Sequence, residues 1–248
     1  MADVSASDHG PAVNEAPATT TPGRFSAWDR DASEETLRRL ATDVGRLVRE
    51  GVAAHHRTPQ DVLARLASDP HHFVRWSVAQ NSHAGPGVLG MLADDPELMV
   101  RVAVARNAST PTETLVELSR RTRWLVRADV AANPATPPVL LDRMSRTYRY
   151  LPGETIIRGE VARNPAAPPA ALRRLGRSWS RTLRAAVAGN PSAPPEALAR
   201  LARDRAPSVR RLVANHADLS AASLAALTND SNEFVRETAA AVRRSEGT

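Results

Sequence analysis

The sequence predicts an all-α solenoid, a superhelix of about seven 26-residue repeats with two helices each, preceded by an N-terminal capping helix. An arginine recurs every 26 residues, apart from one interval of 31, and an alanine follows each arginine after four residues. Leucine pairs recur with the same period. The periodic arginines are Arg75, Arg101, Arg127, Arg158, Arg184, Arg210 and Arg236. Because a fixed period of this length is typical of repeat architectures, it predicts the fold before any single helix is considered.

The N-terminal part precedes the repeats. Residues 1–31 are rich in proline, threonine and small polar residues, a composition that predicts a disordered tail. Residues 32–57 are predicted to form the capping helix, with Ser33 or Asp31 as its N-cap. Its apolar stripe is Leu37, Leu40, Val44, Leu47 and Val48. We expect this helix to cover the exposed end of the first repeat, since a terminal unit has no neighbour on one side.

Residues 58–248 are predicted to form the solenoid itself. Each repeat opens with a proline or a Thr-Pro pair, such as Thr58-Pro59, and we expect the proline at the first helical position, where an amide has no intrahelical acceptor. Leucines spaced by three, such as Leu63 and Leu66, lie on one face of a short first helix. The second helix ends at an asparagine such as Asn81, which we expect to terminate the helix or to join a ladder between repeats. No segment alternates as a strand does.

Composition excludes several classes of function. None of the 248 residues is a cysteine, which excludes disulfides, thiolate catalysis and cysteine-bound iron–sulfur or zinc centres. The histidines lack the spacing of metal ligands, and there is no phosphate-binding glycine loop or nucleophile elbow. We therefore expect no enzyme, no cofactor, no metal site and no small-molecule substrate. Without a signal peptide or an apolar stretch of ~20 residues, the chain is predicted to be cytoplasmic, with no membrane partner.

The repeat unit can be written Val-Arg-x-x-Val-Ala-x-Asn-Pro-x-x-Pro-Pro-x-x-Leu-x-x-Leu, with clear instances beginning at residues 157 and 183. This unit resembles the leucine-rich repeat variant of bacterial proteins, which is related in architecture to HEAT and armadillo repeats. The resemblance covers about residues 58–244. It implies a right-handed solenoid of alternating α-helices and 3₁₀-like helices. Some members of that family carry an iron–sulfur cluster in a cysteine-rich N-terminal segment, a feature that this cysteine-free chain does not share.

Positive charge is concentrated in the middle of the array. The net charge is +6, and residues 108–190 hold most of the excess. In three successive repeats there, the segment between the two helices is basic and aromatic, and we name these segments the basic aromatic turns. The first contains Arg120, Arg121, Arg123 and Trp124, the second Arg146, Tyr148, Arg149 and Tyr150, and the third Arg177, Trp179 and Arg181. The five-residue insertion around 148–155 lies in the second turn.

Two interpretations of the basic aromatic turns remain open. Stacked in register, they would form a stripe of guanidinium groups and rings that binds an acidic protein surface, since Arg, Trp and Tyr dominate interface hot spots. The same stripe would suit sequence-independent binding of DNA or RNA, or hold the chain as a scaffold in a larger complex. Alternatively, the rings fold back over the groove between repeats. We expect the periodic arginines to be structural, paired with carbonyls or a carboxylate of the adjacent unit.

Overall fold

The computed structural model describes residues 29–146, 153–216 and 219–246, and within these ranges it contains sixteen α-helices and no strand. In chain order the helices are α1 Glu34–Leu40, α2 Arg46–Ala54, α3 Gln60–Leu66, α4 His72–Gln80, α5 Pro86–Leu92, α6 Leu98–Arg106, α7 Thr112–Arg121, α8 Trp124–Ala132, α9 Pro138–Ser145, α10 Glu154–Arg163, α11 Pro169–Leu175, α12 Arg181–Ala188, α13 Pro195–Leu201, α14 Pro207–Ala214, α15 Ala221–Thr228 and α16 Glu233–Glu246. They alternate as the first and second helices of successive repeats.

The helices form two layers with a continuous core between them. Each second helix packs on the second helix of the next repeat, from α2 through α16, and first helices such as α3 and α5 pack on one another. First helices supply buried leucines such as Leu63, whereas second helices supply buried valine and alanine, such as Val74 and Ala79. Small side chains allow the second helices to approach closely. The predicted all-α solenoid is confirmed.

The first helices are α-helical, so the alternation with 3₁₀-like helices that the resemblance implied is wrong for the described residues. In the repeat of α3, two bonds of the 3₁₀ type directly follow the helix, from the amide of Ser68 to the carbonyl of Arg65 and from the amide of Asp69 to the carbonyl of Leu66, both 3.1 Å. These bonds tighten the turn at the C-terminal end of the helix. They also satisfy carbonyls that the short helix leaves without partners.

Two helices, α1 and α2, occupy the region where the sequence predicted one capping helix. Ser33 caps α1 as expected, by accepting a bond of 3.2 Å from the amide of Thr36. The predicted apolar stripe is wrong for Val44, which is 99% exposed in the turn between the helices, and for Leu47, which is 40% exposed. Arg49 in α2 lies 26 residues before Arg75, so the helix pair α1 and α2 is built like a repeat. Of the predicted disordered tail, residues 1–28 lie outside the described residues.

A ladder of buried asparagines joins the repeats. The side-chain amide of Asn133 donates to the carbonyls of Ala105 and Asn107, at 2.7 and 2.9 Å, and its oxygen accepts from the amide of Ala135 at 2.8 Å. Asn81, Asn107, Asn164 and Asn190 make the corresponding bonds. The ladder role predicted for these asparagines is confirmed. His216 takes the next position, with its ring nitrogen 2.8 Å from the carbonyl of Ala188, so its place is structural.

The prolines stand one residue earlier than predicted in several repeats. Pro59, Pro111 and Pro137 are N-cap residues with extended backbone, and the helix begins at the residue that follows. Prolines at the first helical position include the second member of Pro-Pro pairs, such as Pro169 and Pro195, and also Pro86 and Pro207. Both positions suit proline, because neither amide would have an intrahelical acceptor.

Candidate binding edge

Three of the periodic arginines, and Arg49 one period before the first of them, pair with aspartates 20 residues further along the chain. Arg184 donates from Nε and Nη2 to the carboxylate of Asp204, at 2.6 and 3.1 Å, and from Nη1 to the carbonyls of Ser178 and Trp179, both at 2.9 Å. Arg49–Asp69, Arg75–Asp95 and Arg210–Asp230 are bonded in the same way. We call each such pair a rung of the arginine–aspartate ladder. The structural role predicted for the periodic arginines holds at these rungs.

In three of the rungs the pKa of the aspartate lies below its ordinary value, at Asp69, Asp204 and Asp230. The hydrogen bond from Arg210 lowers the pKa of Asp230 against the opposing effect of burial. For Asp204, burial by itself raises the pKa, but the bonds from Arg184 and from the amide of Ala206, with the nearby positive charge, bring it below its ordinary value. Each rung is therefore a bidentate, charge-assisted pair that links one repeat to the next.

The ladder is interrupted in the centre, where the aspartate position holds Arg121 and, two repeats later, Ser178. Arg101 keeps its bonds to the carbonyls of Asp95 and Pro96, but among the described residues no carboxylate lies within ion-pair distance of it. Arg127 pairs instead with the buried Glu154, at 3.2 Å, at the start of α10. The interruption coincides with the basic aromatic turns.

In the first basic aromatic turn, neighbouring acids neutralise two of the three arginines. Arg120 pairs with Glu117 at 3.0 Å, and Arg121 pairs with Glu117 at 3.2 Å and with Asp94 at 3.8 Å. Arg123, the N-cap residue of α8, is exposed. These pairs leave little free positive charge at the first turn.

Trp124 is partly covered. It is 38% exposed and its ring lies against Gly153, where an added Cβ would approach the ring to 2.4 Å. Gly153 also has a positive φ of 82°, which favours glycine. For Trp124, the structure therefore agrees with the alternative in which the ring folds over the groove between repeats.

The second basic aromatic turn is only partly described. Arg146 pairs with Asp142, with Nη2 at 2.6 Å from the carboxylate, on an exposed surface. Tyr148, Arg149 and Tyr150 lie outside the described residues, as does most of the insertion. The interpretation of this turn stays a prediction.

The third basic aromatic turn borders a cavity of about 660 Å³, which we name the arginine cavity. Trp179 lies at its rim with 82% of its surface exposed. Four exposed arginines line it, and none of them is ion-paired with any residue that the structure describes. They are Arg177, Arg200, Arg203 and Arg205. Among the lining residues the one carboxylate is that of Asp204, which is bonded to Arg184. Arg181, the exposed first residue of α12, is not among the residues that line the cavity.

Sequence reasoning missed three of these four arginines. Arg200, Arg203 and Arg205 belong to the next repeat, whose overall charge is nearly balanced because Asp204 and other acids offset them. A signal was present. Arg203 follows Arg177 by 26 residues, so one arginine position recurs from the third basic aromatic turn into the next repeat.

The exposed surface of the second helices has different chemistry. Two residues before the ladder arginine, several repeats carry an exposed apolar side chain, namely Leu47, Phe73, Met99, Ile156 and Phe234. Several charged groups on this surface of the second helices pair with one another, as in Arg106–Asp129 at 2.7 Å and Arg163–Glu160 at 2.9 Å. At the edge formed by the turns, by contrast, four arginines without an ion pair among the described residues lie together at the arginine cavity.

Metal sites and membrane spans are both missing from the described ranges. No group of three or more His, Asp or Glu side chains there is arranged to hold a metal ion. None of the helices described is long and apolar enough to cross a membrane.

The geometry defines the class of protein, an α-helical repeat solenoid with polar ladders between its repeats. Comparison with protein families matches residues 181–206, one repeat of the chain, to the leucine rich repeat variant family. A solved structure described as a leucine-rich repeat variant with a novel repetitive protein structural motif is similar, with a TM-score of 0.61 and 24% sequence identity. The similarity covers 90% of this chain and 88% of that chain, and it shows the fold. The resemblance seen in the repeat unit is confirmed. No curated protein matches the chain.

Proposed function

We propose that the chain is a non-enzymatic, cytoplasmic repeat scaffold that binds an acidic segment of a protein partner at the arginine cavity. One observation carries the proposal. Four arginines without a carboxylate partner among the described residues surround a cavity whose rim holds a tryptophan that is 82% exposed. Unpaired guanidinium groups recognise carboxylates by bidentate bonds, and an exposed tryptophan beside them is a typical interface anchor.

A compact acidic segment fits this distribution of charge better than a nucleic acid does. Backbone tracking along DNA or RNA requires free cations over a long path. Here Arg120, Arg121 and Arg146 are already paired with acids of their own chain. Four of the arginines without an ion pair among the described residues lie together at the arginine cavity, which suits an epitope of a few carboxylates.

The test compares two variants with the same change in net charge. In the cavity variant, Arg177, Arg200, Arg203 and Arg205 become Ser. In the control variant, four exposed arginines elsewhere, Arg39, Arg57, Arg65 and Arg211, become Ser. We expect a fluorescent polyglutamate peptide of about 20 residues to bind the wild type and the control, and to lose at least about tenfold in affinity for the cavity variant.

The same measurement with labelled single-stranded and duplex DNA separates the two partner classes. Binding of DNA with a steep salt dependence, together with no binding of polyglutamate, would overturn the proposal in favour of nucleic acid. Equal loss in both variants would show a mere effect of net charge. Capture of partners from a lysate, with and without nuclease, then identifies the natural ligand.

A further inference from the structure

We propose that Arg101 is a second carboxylate-binding subsite, in which an aspartate or glutamate of the partner occupies the position that a ladder aspartate fills in the complete rungs. This inference rests on the proposed function, since it gives the acidic partner a second point of attachment. In the complete rungs, Nε and Nη2 of the arginine donate hydrogen bonds to a carboxylate of the next repeat. At Arg101 the chain places Arg121 at that sequence position.

The guanidinium of Arg101 is oriented before any partner binds. Its Nη1 donates to the carbonyls of Asp95 and Pro96, as Nη1 of Arg75 does to Asp69 and Pro70. Arg236 makes the same two kinds of bond, to the carbonyls of Asp230 and Ser231, without a carboxylate partner among the described residues, so carbonyls alone hold this orientation. The Nε and Nη2 edge of Arg101 has no acceptor among the described residues. A preorganised pair of donors loses little conformational entropy on binding.

The chemistry of the ligand follows from the molecule's own rungs. Four arginines in this backbone setting bind a carboxylate, each with Nε to one oxygen at 2.6 Å. The side chain of Arg121 is 64% exposed and bonds Glu117 and Asp94. It therefore supplies no acceptor to Arg101 and adds positive charge nearby. A carboxylate from outside the chain meets the missing requirement.

The length of helix α7 explains why, among the described residues, no aspartate of the next repeat pairs with Arg101. This helix has ten residues and ends at Arg121, whereas α3 has seven, so that Asp69 lies in the turn that follows. Aspartate is unfavourable at a helix C-terminus and favourable in turns. Arg121→Asp should therefore end α7 earlier and supply the missing carboxylate internally. We expect its melting temperature to rise by about 2–4 °C, as for a gain of one charge-assisted pair in a chain of this size.

The binding test uses the polyglutamate peptide at low ionic strength. Arg101→Gln is expected to weaken binding about 3- to 10-fold, whereas Arg106→Gln, in the same helix but on the surface of the second helices, changes it less than about twofold. In the Arg121→Asp background, Arg101→Gln should have no further effect on affinity. In the Arg121→Ser background, which leaves the position open, it should weaken binding as in the wild type.

Equal affinities for Arg101→Gln and Arg106→Gln, or an unchanged effect of Arg101→Gln in the Arg121→Asp background, would overturn the subsite. If the cavity variant still loses binding in that case, the proposed function stands without it. If neither site affects binding, the proposed function fails as well. The same variants are also tested with a phosphoserine peptide of matched length. If Arg101→Gln weakened binding of that peptide but not of polyglutamate, the ligand of Arg101 would be a phosphate and the assignment to a carboxylate would be overturned.

Discussion

The first and third basic aromatic turns have similar compositions and different environments. In the first turn Arg120 and Arg121 are paired with Glu117 and Asp94, and the tryptophan lies against Gly153. At residues 177–181 Arg177 and Trp179 are exposed and line the arginine cavity with arginines of the next repeat. The difference comes from neighbours in the preceding helix and in the next repeat. Composition alone therefore does not decide whether a basic turn is a binding surface.

The largest effect on stability is expected at the Arg184–Asp204 rung, beside the third basic aromatic turn. Asp204→Ala removes the carboxylate from Arg184, which is 7% exposed, and leaves a buried charge held by two carbonyls. We expect a loss of about 3 kcal/mol in the free energy of unfolding, measured by urea denaturation. At the equivalent position of the first turn, Arg121→Ala should change stability by less than about 0.5 kcal/mol. Equal losses would contradict the contrast between a complete and an interrupted rung.

The stability difference between the wild type and Asp204→Ala should depend on pH, which provides a control for the role of the Asp204 charge. The folded pKa of Asp204 lies below its ordinary value because the bonds from Arg184 and the amide of Ala206 outweigh burial. Its contribution is therefore fully present above the unfolded pKa of about 4 and is lost as pH falls through the folded value. The stability difference between wild type and Asp204→Ala should be largest at neutral pH and shrink in acid. A constant difference would mean that the loss comes from packing.

The two tryptophans sharpen the comparison. Trp124→Ala removes a ring that covers Gly153 and should cost about 2 kcal/mol of stability, less than for a fully buried tryptophan because the ring is 38% exposed. Trp179→Ala should cost less than about 0.5 kcal/mol and weaken polyglutamate binding. Thermal denaturation and fluorescence anisotropy measure the two effects. The reverse outcome, with Trp124 required for binding and Trp179 for stability, would exchange the roles of the two turns.

Much of the fold was predictable because it is repeated. The period placed Asn133 and its equivalents at the ends of second helices, and they form a ladder there. The partner of Arg184 was also within reach of the sequence, since Asp204 lies 20 residues on, as Asp95 does from Arg75. The same reasoning would have shown that Arg121 interrupts the ladder.

The candidate site was less predictable for two physical reasons. Pairing of Arg120 with Glu117 follows from helical spacing, but whether an exposed pair forms depends on where α7 ends. The covering of Trp124 depends on Gly153, which lies in a segment that belongs to one repeat only. The period carries no information about such a segment, so contacts across it have to be seen in three dimensions.

The smallest expected effect comes from making the first turn resemble the third. Glu117→Gln removes the carboxylate that pairs with both Arg120 and Arg121, at positions whose side chains are 56% and 64% exposed. Since exposed pairs contribute little, stability should fall by less than about 0.5 kcal/mol. Arg120 then loses its ion pair and Arg121 keeps only Asp94, 3.8 Å away, so the affinity for polyglutamate should rise about twofold to threefold at low salt.

Glu113→Gln, in the same helix, makes the same change in net charge without releasing an ion pair among the described residues. It should therefore leave the affinity nearly unchanged. An equal gain in both variants would show that polyglutamate responds to total charge and not to free guanidinium groups. In that case the pairing of Arg120 and Arg121 would not explain why the first turn differs from the third.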